Sequence, residues 1–253
     1  MPKNIEKLII ESAKGNITGN NVQDDIVLKG IYKSENKQYI KDLELTLNPG
    51  TEKSISLKLP YEGYEIQLFI VNFTGDDRLE IMIRGESEGP TLHPSEEPGL
   101  HAIAVIYKYE NNNLIEIFNH DKFYKENICS AKYKNGYKVN ISCGNKKYSL
   151  DISKKLKSYL DNIFNTDGSV KSYYDPFYEP HVNRPFEIYP IKSHSNNHYE
   201  LLIEQVVMGT GEYTAGPTPA LAIIQTFGYF EKSEFNIKDK GLLIFWYINL
   251  NKC

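Results

Sequence analysis

The chain has little tryptophan, little cysteine, no basic block and no long apolar run. Among 253 residues there is one tryptophan, three cysteines and a formal net charge of −4, with both signs interspersed. Without a clustered Lys/Arg footprint, a nucleic-acid partner is not expected. The longest apolar runs, such as Leu242 to Ile248, have strand length and fall far short of a membrane span. Cys129, Cys143 and Cys253 form an odd set without metal-ligand spacing. That argues against a disulfide framework and leaves Cys253 as a group for cross-linking to a partner. The opening Met1-Pro2-Lys3-Asn4-Ile5-Glu6 lacks an apolar h-region, so cytosolic synthesis without a signal peptide is expected; if a signal peptide was removed, the cell surface is the alternative.

Tyrosine, by contrast, is abundant, at 19 residues. It suits half-buried strand faces, and it equally suits a densely packed or cross-linked assembly. Short apolar alternations separated by Asn, Gly and Asp turns fill most of the chain. Leu8 to Ile10, Ile26 to Leu28, Leu43/Leu45/Leu47 and Ile55/Leu57/Leu59 predict four strands. Ile66 to Val71, Ile81 to Ile83, Ala102 to Tyr107 and Leu114 to Phe118 predict four more. Asn135-Gly136 and Gly144-Asn145 are hairpin signals beside Tyr137-Val139-Ile141 and Tyr148-Leu150-Ile152. Leu156, Tyr159, Leu160, Ile163 and Phe164 then switch to helical spacing, predicting one short helix near 154–165, with Ser153 as N-cap and Asp167-Gly168 as stop. The last strands are expected at 186–191, 201–207, 221–227 and 242–248.

The expectation is a mainly β, β-propeller-like single domain over 1–253 with about four blades. The repeat groups run roughly over 5–60, 61–125, 126–180 and 181–253. A pair of two-sheet sandwiches is the alternative.

Three turns carry a shared pattern: Gly15 to Ile26, Asn72 to Ile81 and Lys192 to Leu201. Each follows an apolar strand, places polar side chains at its first, third and fifth positions, and carries a carboxylate at the ninth. On these turns the chain resembles the FG-GAP/VCBS repeats of integrin-type propellers and VCBS-repeat proteins of low-GC, spore-forming bacteria. The resemblance implies weak calcium loops, since hard cations take several oxygen ligands. The second turn would offer Asn72, Thr74, Asp76, the carbonyl of Arg78 and Glu80. The first, weaker, would offer Asn16, Thr18, Asn20, the carbonyl of Val22 and Asp24. In the third, Lys192 replaces the first ligand and is expected to pair with Glu200. The same residues also serve a metal-free β-turn, with Asn and Thr bonding nearby backbone.

No catalytic motif is found. His93 to His101 gathers two imidazoles and two carboxylates, but its two prolines and lack of helical spacing fit a solvated loop better than a zinc site. Met208 to Gly216 lacks the Lys-Ser/Thr ending of a phosphate loop. This segment and the one from Gly85 to Leu100 follow corresponding strands, so two long connections are expected on one face. A non-enzymatic structural or interaction protein results, with the spore coat or spore surface as its expected place and other coat or surface proteins as partners. A calcium-dependent protein- or glycan-binding module is the alternative, and a cryptic hydrolase a third reading.

Overall fold

The computed structural model describes residues 7–33, 36–88, 100–155, 157–171, 179–193, 198–209 and 220–244. The chain is mainly β, with four antiparallel sheets and two short helices. The first sheet runs β1 (Leu8–Gly15), β2 (Asp24–Lys33), β3 (Asn36–Leu47), β4 (Ile55–Lys58) in spatial order. The second is β5 (Tyr64–Val71), β6 (Glu80–Glu88), β7 (Leu100–Glu110), β8 (Asn113–Asn119). Then come the helix α1 (His120–Glu126) and a three-stranded sheet of β9 (Cys129–Lys134), β10 (Lys138–Cys143) and β11 (Lys146–Asp151). Helix α2 (Lys157–Ile163) leads to the fourth sheet: β12 (His181–Lys192), β13 (Tyr199–Met208), β14 (Ala220–Glu231) and β15 (Glu234–Ile244). Each four-stranded sheet is a simple meander, consistent with a propeller-like arrangement.

Period-2 burial orders the sheets. Strand β7 is buried on both faces. Ile103, Val105 and Tyr107 enter a core shared with Ile26, Leu28 and Leu45 of the first sheet. Their neighbours Ala102, Ala104 and Ile106 enter a second core with Leu201, Ile203 and Phe230 of the fourth. Farther along the same face of the fourth sheet, Val207, Ala222 and Ile224 pack on Val139, Ile141 and Leu150 of the third sheet and on Leu160 and Ile163 of α2. The packing order is therefore first, second, fourth, third. The third sheet packs on the fourth, which follows it in sequence, and the second sheet packs on the fourth and not on the third.

Several expectations shift. Two helices form instead of one. The α1 turn is capped by Asn119, whose Oδ1 accepts from Asp121 N at 2.9 Å and Lys122 N at 3.2 Å. Helix α2 starts later than expected: Ser153 is not its cap but donates its N–H to Asp151 Oδ1 at 2.8 Å in a turn before it. Gly168, with φ +79°, closes the turn after it by donating to Asn165 O at 2.9 Å. The cysteine expectation also changes. Cys129 and Cys143 are register partners on β9 and β10 and are joined as a disulfide, with Cα atoms 4.4 Å apart. The strand that places Cys129 opposite Cys143 carries little apolar signal, which hid the pairing. Among the described residues no helix is long and apolar enough to cross a membrane.

Gly63 ties the first two sheets. It exchanges two backbone hydrogen bonds with Ile40, of 2.8 and 2.9 Å. A Cβ there would sit 2.0 Å from the Glu86 carbonyl oxygen, so only glycine allows this approach.

Candidate functional site

The repeated turns are built alike. In each, the ninth-position carboxylate lies at the start of the second strand of its sheet and is buried: Asp24, Glu80 and Glu200 are 4%, 0% and 5% exposed. In the first turn Asp24 Oδ2 accepts from Ile17 N at 3.0 Å, Thr18 N at 2.8 Å and Thr18 Oγ1 at 3.0 Å. Asn48 Nδ2 donates to the other oxygen at 2.7 Å. In the second, Glu80 Oε2 accepts from Phe73 N at 2.7 Å and Thr74 N at 3.3 Å, and Oε1 from Thr74 Oγ1 at 2.7 Å. Ile17 and Phe73, at the second position, are wholly buried anchors. Gly19 and Gly75, at the fourth, hold φ of +79° and +78°.

Fifth-position side chains fold back locally. Asn20 Oδ1 accepts from Val22 N at 2.9 Å, and Asp76 Oδ1 from Arg78 N at 2.9 Å. Asn16 Nδ2 donates to Asp77 O at 3.1 Å, while Asn72 Oδ1 accepts from Gly75 N at 2.6 Å. The second turn also holds a cation of the protein's own. Lys108, from β7, places its Nζ 2.9 Å from Asp76 Oδ2 and 3.1 Å from Thr74 Oγ1. Burial pushes the Asp76 carboxyl up, but Lys108 and the Arg78 N–H outweigh it and hold it below its ordinary value. In the third turn Glu200 is paired with Lys238 of β15, at 2.9 and 3.2 Å, in the place expected of Lys192. Residues 194–197 of that turn lie outside the described residues. Among the described residues no three His, Cys, Asp or Glu side chains are placed to share a metal ion.

The turns are also chained to one another. Leu79 N, at the eighth position of the second, donates to Asn16 O, at the first position of the first, at 3.0 Å. Tyr199 N, at the eighth position of the third, donates to Asn72 O at 2.6 Å. The same bond thus links the first sheet to the second and the second to the fourth.

A concave feature among the described residues lies elsewhere. A cavity of about 350 Å³ opens between the second and fourth sheets, at the strand ends from which the connection between β6 and β7 leaves. Ser87 and His101 are register partners at the end of β6 and the start of β7, and Arg184 and Pro185 lie near the start of β12. His101 is therefore part of a buried strand start and not of a solvated loop; residues 89–99, with His93, and 210–219 lie outside the described residues.

The connection before β5 adds Tyr61 and Glu62 to the wall, and α1 adds His120, Asp121 and Tyr124. Asn119, besides capping α1, donates from Nδ2 to Tyr61 Oη at 2.6 Å. His120 Nδ1 lies 3.1 Å from Ala104 O. A carbonyl only accepts, so Nδ1 carries the proton and Nε2 presents a lone pair. Arg184 Nη1 approaches Asp121 Oδ1 at 3.5 Å, and its guanidinium lies 5.3 Å from the Tyr124 ring centre. Burial pushes the Tyr61 phenol up to about 12, helped by Glu116. Burial pushes the His120 imidazole down, against the pull of Asp121.

Fold and site together define an all-β scaffold of four packed sheets with repeated self-closed turns and a polar cavity between two of the sheets. Residues 127–243, which comprise the third and fourth sheets and their shared core, match the family model described as the YybI C-terminal domain. Over 243 residues the chain is 28% identical to the uncharacterized protein YybI of Bacillus subtilis (strain 168), spanning 94% of this chain and 86% of that one. No solved structure matches. These matches correct the FG-GAP/VCBS resemblance, because the family found is a different one. The turn spacing that suggested it is also what a carboxylate needs to reach back to two N–H groups and a threonine hydroxyl.

Proposed function

We propose that this chain is a non-enzymatic structural or interaction protein of the spore coat or spore surface. The observation that carries the non-enzymatic part is the state of two of the cavity's titratable groups, Tyr61 and His120. Tyr61, raised to about 12, stays protonated and His120, lowered, stays neutral at pH 7. A general acid or base works best with its pKa near the operating pH, and these two are moved away from it. Neither of these two groups is poised to exchange protons with a ligand near pH 7.

The place in the spore is a reading supported by the abundance of tyrosine for packing or cross-linking. On this reading the protein is made in the mother-cell cytosol and joins other coat proteins. Its turns need no calcium: Asp24, Glu80 and Glu200 are satisfied within the chain, and Lys108 supplies the positive charge of the second turn.

Immunoblots of growing cells, sporulating cells and purified spores test the location. Signal confined to the extractable outer layers of the spore is expected. Signal in growing cells or the medium removes the coat reading and favours a surface-binding module. That second reading draws on the cavity's position at the root of the long connection between β6 and β7.

A further inference from the structure

The cavity's chemistry selects a ligand class. A sugar hydroxyl donates one hydrogen bond and accepts others, so a vicinal diol is matched by a carboxylate beside a guanidinium. Asp121 and Arg184 stand in that relation on one wall, 3.5 Å apart. A second carboxylate comes from Glu62. The His120 Nε2 lone pair adds an acceptor, since Nδ1 is committed to Ala104 O at 3.1 Å. Tyr61 Oη accepts from Asn119 at 2.6 Å, which leaves its own proton to donate. The wall thus offers both donors and acceptors.

The apolar faces are rigid rings. Tyr61 and His120 meet edge to face with centres 5.2 Å apart, and Pro60 and Pro185 complete the wall. Rigid rings of this kind cover the C–H face of a pyranose at little entropic cost. The volume, about 350 Å³, is at the small end of ligand cavities and suits a mono- or disaccharide. Charge narrows the class further. Asp121 and Glu62 outnumber Arg184, which turns away acidic sugars.

We propose that the cavity between the second and fourth sheets binds a small neutral saccharide through Asp121, Arg184, Glu62 and His120. The site involves no metal, and the proposal stands whether or not the protein belongs to the spore coat.

The test is a titration of the ¹⁵N-labelled full chain, followed by NMR, in chelator. The probes are glucose, galactose, N-acetylglucosamine and glucuronate, with spermidine as a cationic probe. The expected result is saturable shifts of cavity amides with at least one neutral sugar, at a Kd on the order of 1 mM. Asp121→Ala weakens it about tenfold, and Glu234→Ala, at the first residue of β15, leaves it unchanged. Glu62→Ala, on the β4–β5 connection, reads the same loss should the first variant unfold the start of α1. The proposal is overturned by no saturation with any neutral sugar at about 50 mM, well above that Kd. Tighter binding of glucuronate, binding of spermidine alone, or sugar binding that ignores both carboxylate variants overturns it equally.

Discussion

Removing the Glu80 carboxylate tests the turn design at its most buried point. Glu80 is 0% exposed and accepts the N–H groups of Phe73 and Thr74 and the hydroxyl of Thr74. In Glu80→Ala the Phe73 N–H, at another wholly buried residue, is left without an acceptor. A buried donor stranded in this way costs about 1–3 kcal/mol. The Thr74 N–H is only part-buried and finds water, so it adds less, and its hydroxyl keeps Lys108. Relief of carboxylate burial offsets part of the loss. The net expectation is about 1–3 kcal/mol of destabilisation, or roughly 3–9 °C in Tm for a chain of this size. Glu80→Gln keeps an oxygen for the two N–H groups, while Thr74 Oγ1 can accept from the new amide; it should cost about 1 kcal/mol or less. Urea denaturation followed by circular dichroism reads both. An alanine variant within about 0.5 kcal/mol of the parent, a typical surface effect, refutes the reasoning, as does a glutamine variant as damaged as the alanine one.

Asp24 and Glu80 should respond oppositely to pH. For Asp24, burial raises the pKa but Asn48, Thr18 and Ile17 together lower it below 3.8. Its contribution is present above the unfolded value and lost as pH falls through the folded one, so Asp24→Asn flattens the acid limb of a stability–pH curve. Burial raises Glu80 above 4.5 against its hydrogen bonds. Its contribution is present below that value and lost as pH rises through the folded pKa, so Glu80→Gln flattens the curve there; parallel curves for parent and variant would contradict either direction. Gly63→Ala should lower Tm by several degrees, because its Cβ meets the Glu86 carbonyl at 2.0 Å and the backbone must part from it; an unchanged melt would contradict the packing. Reducing the Cys129–Cys143 bond, which spans 14 residues, should cost about 3 kcal/mol on the chain-entropy estimate. Equal denaturation midpoints with and without reductant would show that the bond does not form or does not matter.

Strands with strong alternation were legible. Ile26 and Leu28 of β2, or Ala222 and Ile224 of β14, show the inward face directly. Strand β9 was not, since Cys129, Ala131 and Tyr133 bury modest side chains between lysines and a serine. Helix α1 was missed because seven residues give barely two turns of periodicity, although Asn119 and Asp121 signal its start. The packing order was illegible for another reason. Consecutive units are usually spatial neighbours, and nothing local tells that the second sheet packs on the fourth and not on the third. In the turns, spacing showed which residues matter but not which way the ninth carboxylate points. Phe73 and Gly75, like Ile17 and Gly19, carried that signal: an apolar anchor followed two residues later by glycine marks a tight turn sealed from within. Lys108 sits 28 residues beyond Glu80 in the sequence and reaches the turn only through the β6–β7 pairing. The cavity draws on the β4–β5 connection, β6, β7, α1 and β12, which no local motif could announce; the sequence points only to His101 and to Ser87 at the start of a long connection.

The claim on which the rest depends is that the repeated turns are closed by the protein's own groups, which leaves the cavity as the binding surface. Calorimetric titration with calcium tests it most directly, with the parent chain beside Lys108→Ala. The account predicts a flat trace for the parent at millimolar calcium, with any weak heat confined to the variant that bares Asp76 and Thr74. Saturable binding by the parent, lost in Glu80→Gln, would contradict it and return the second turn to the role of a cation site.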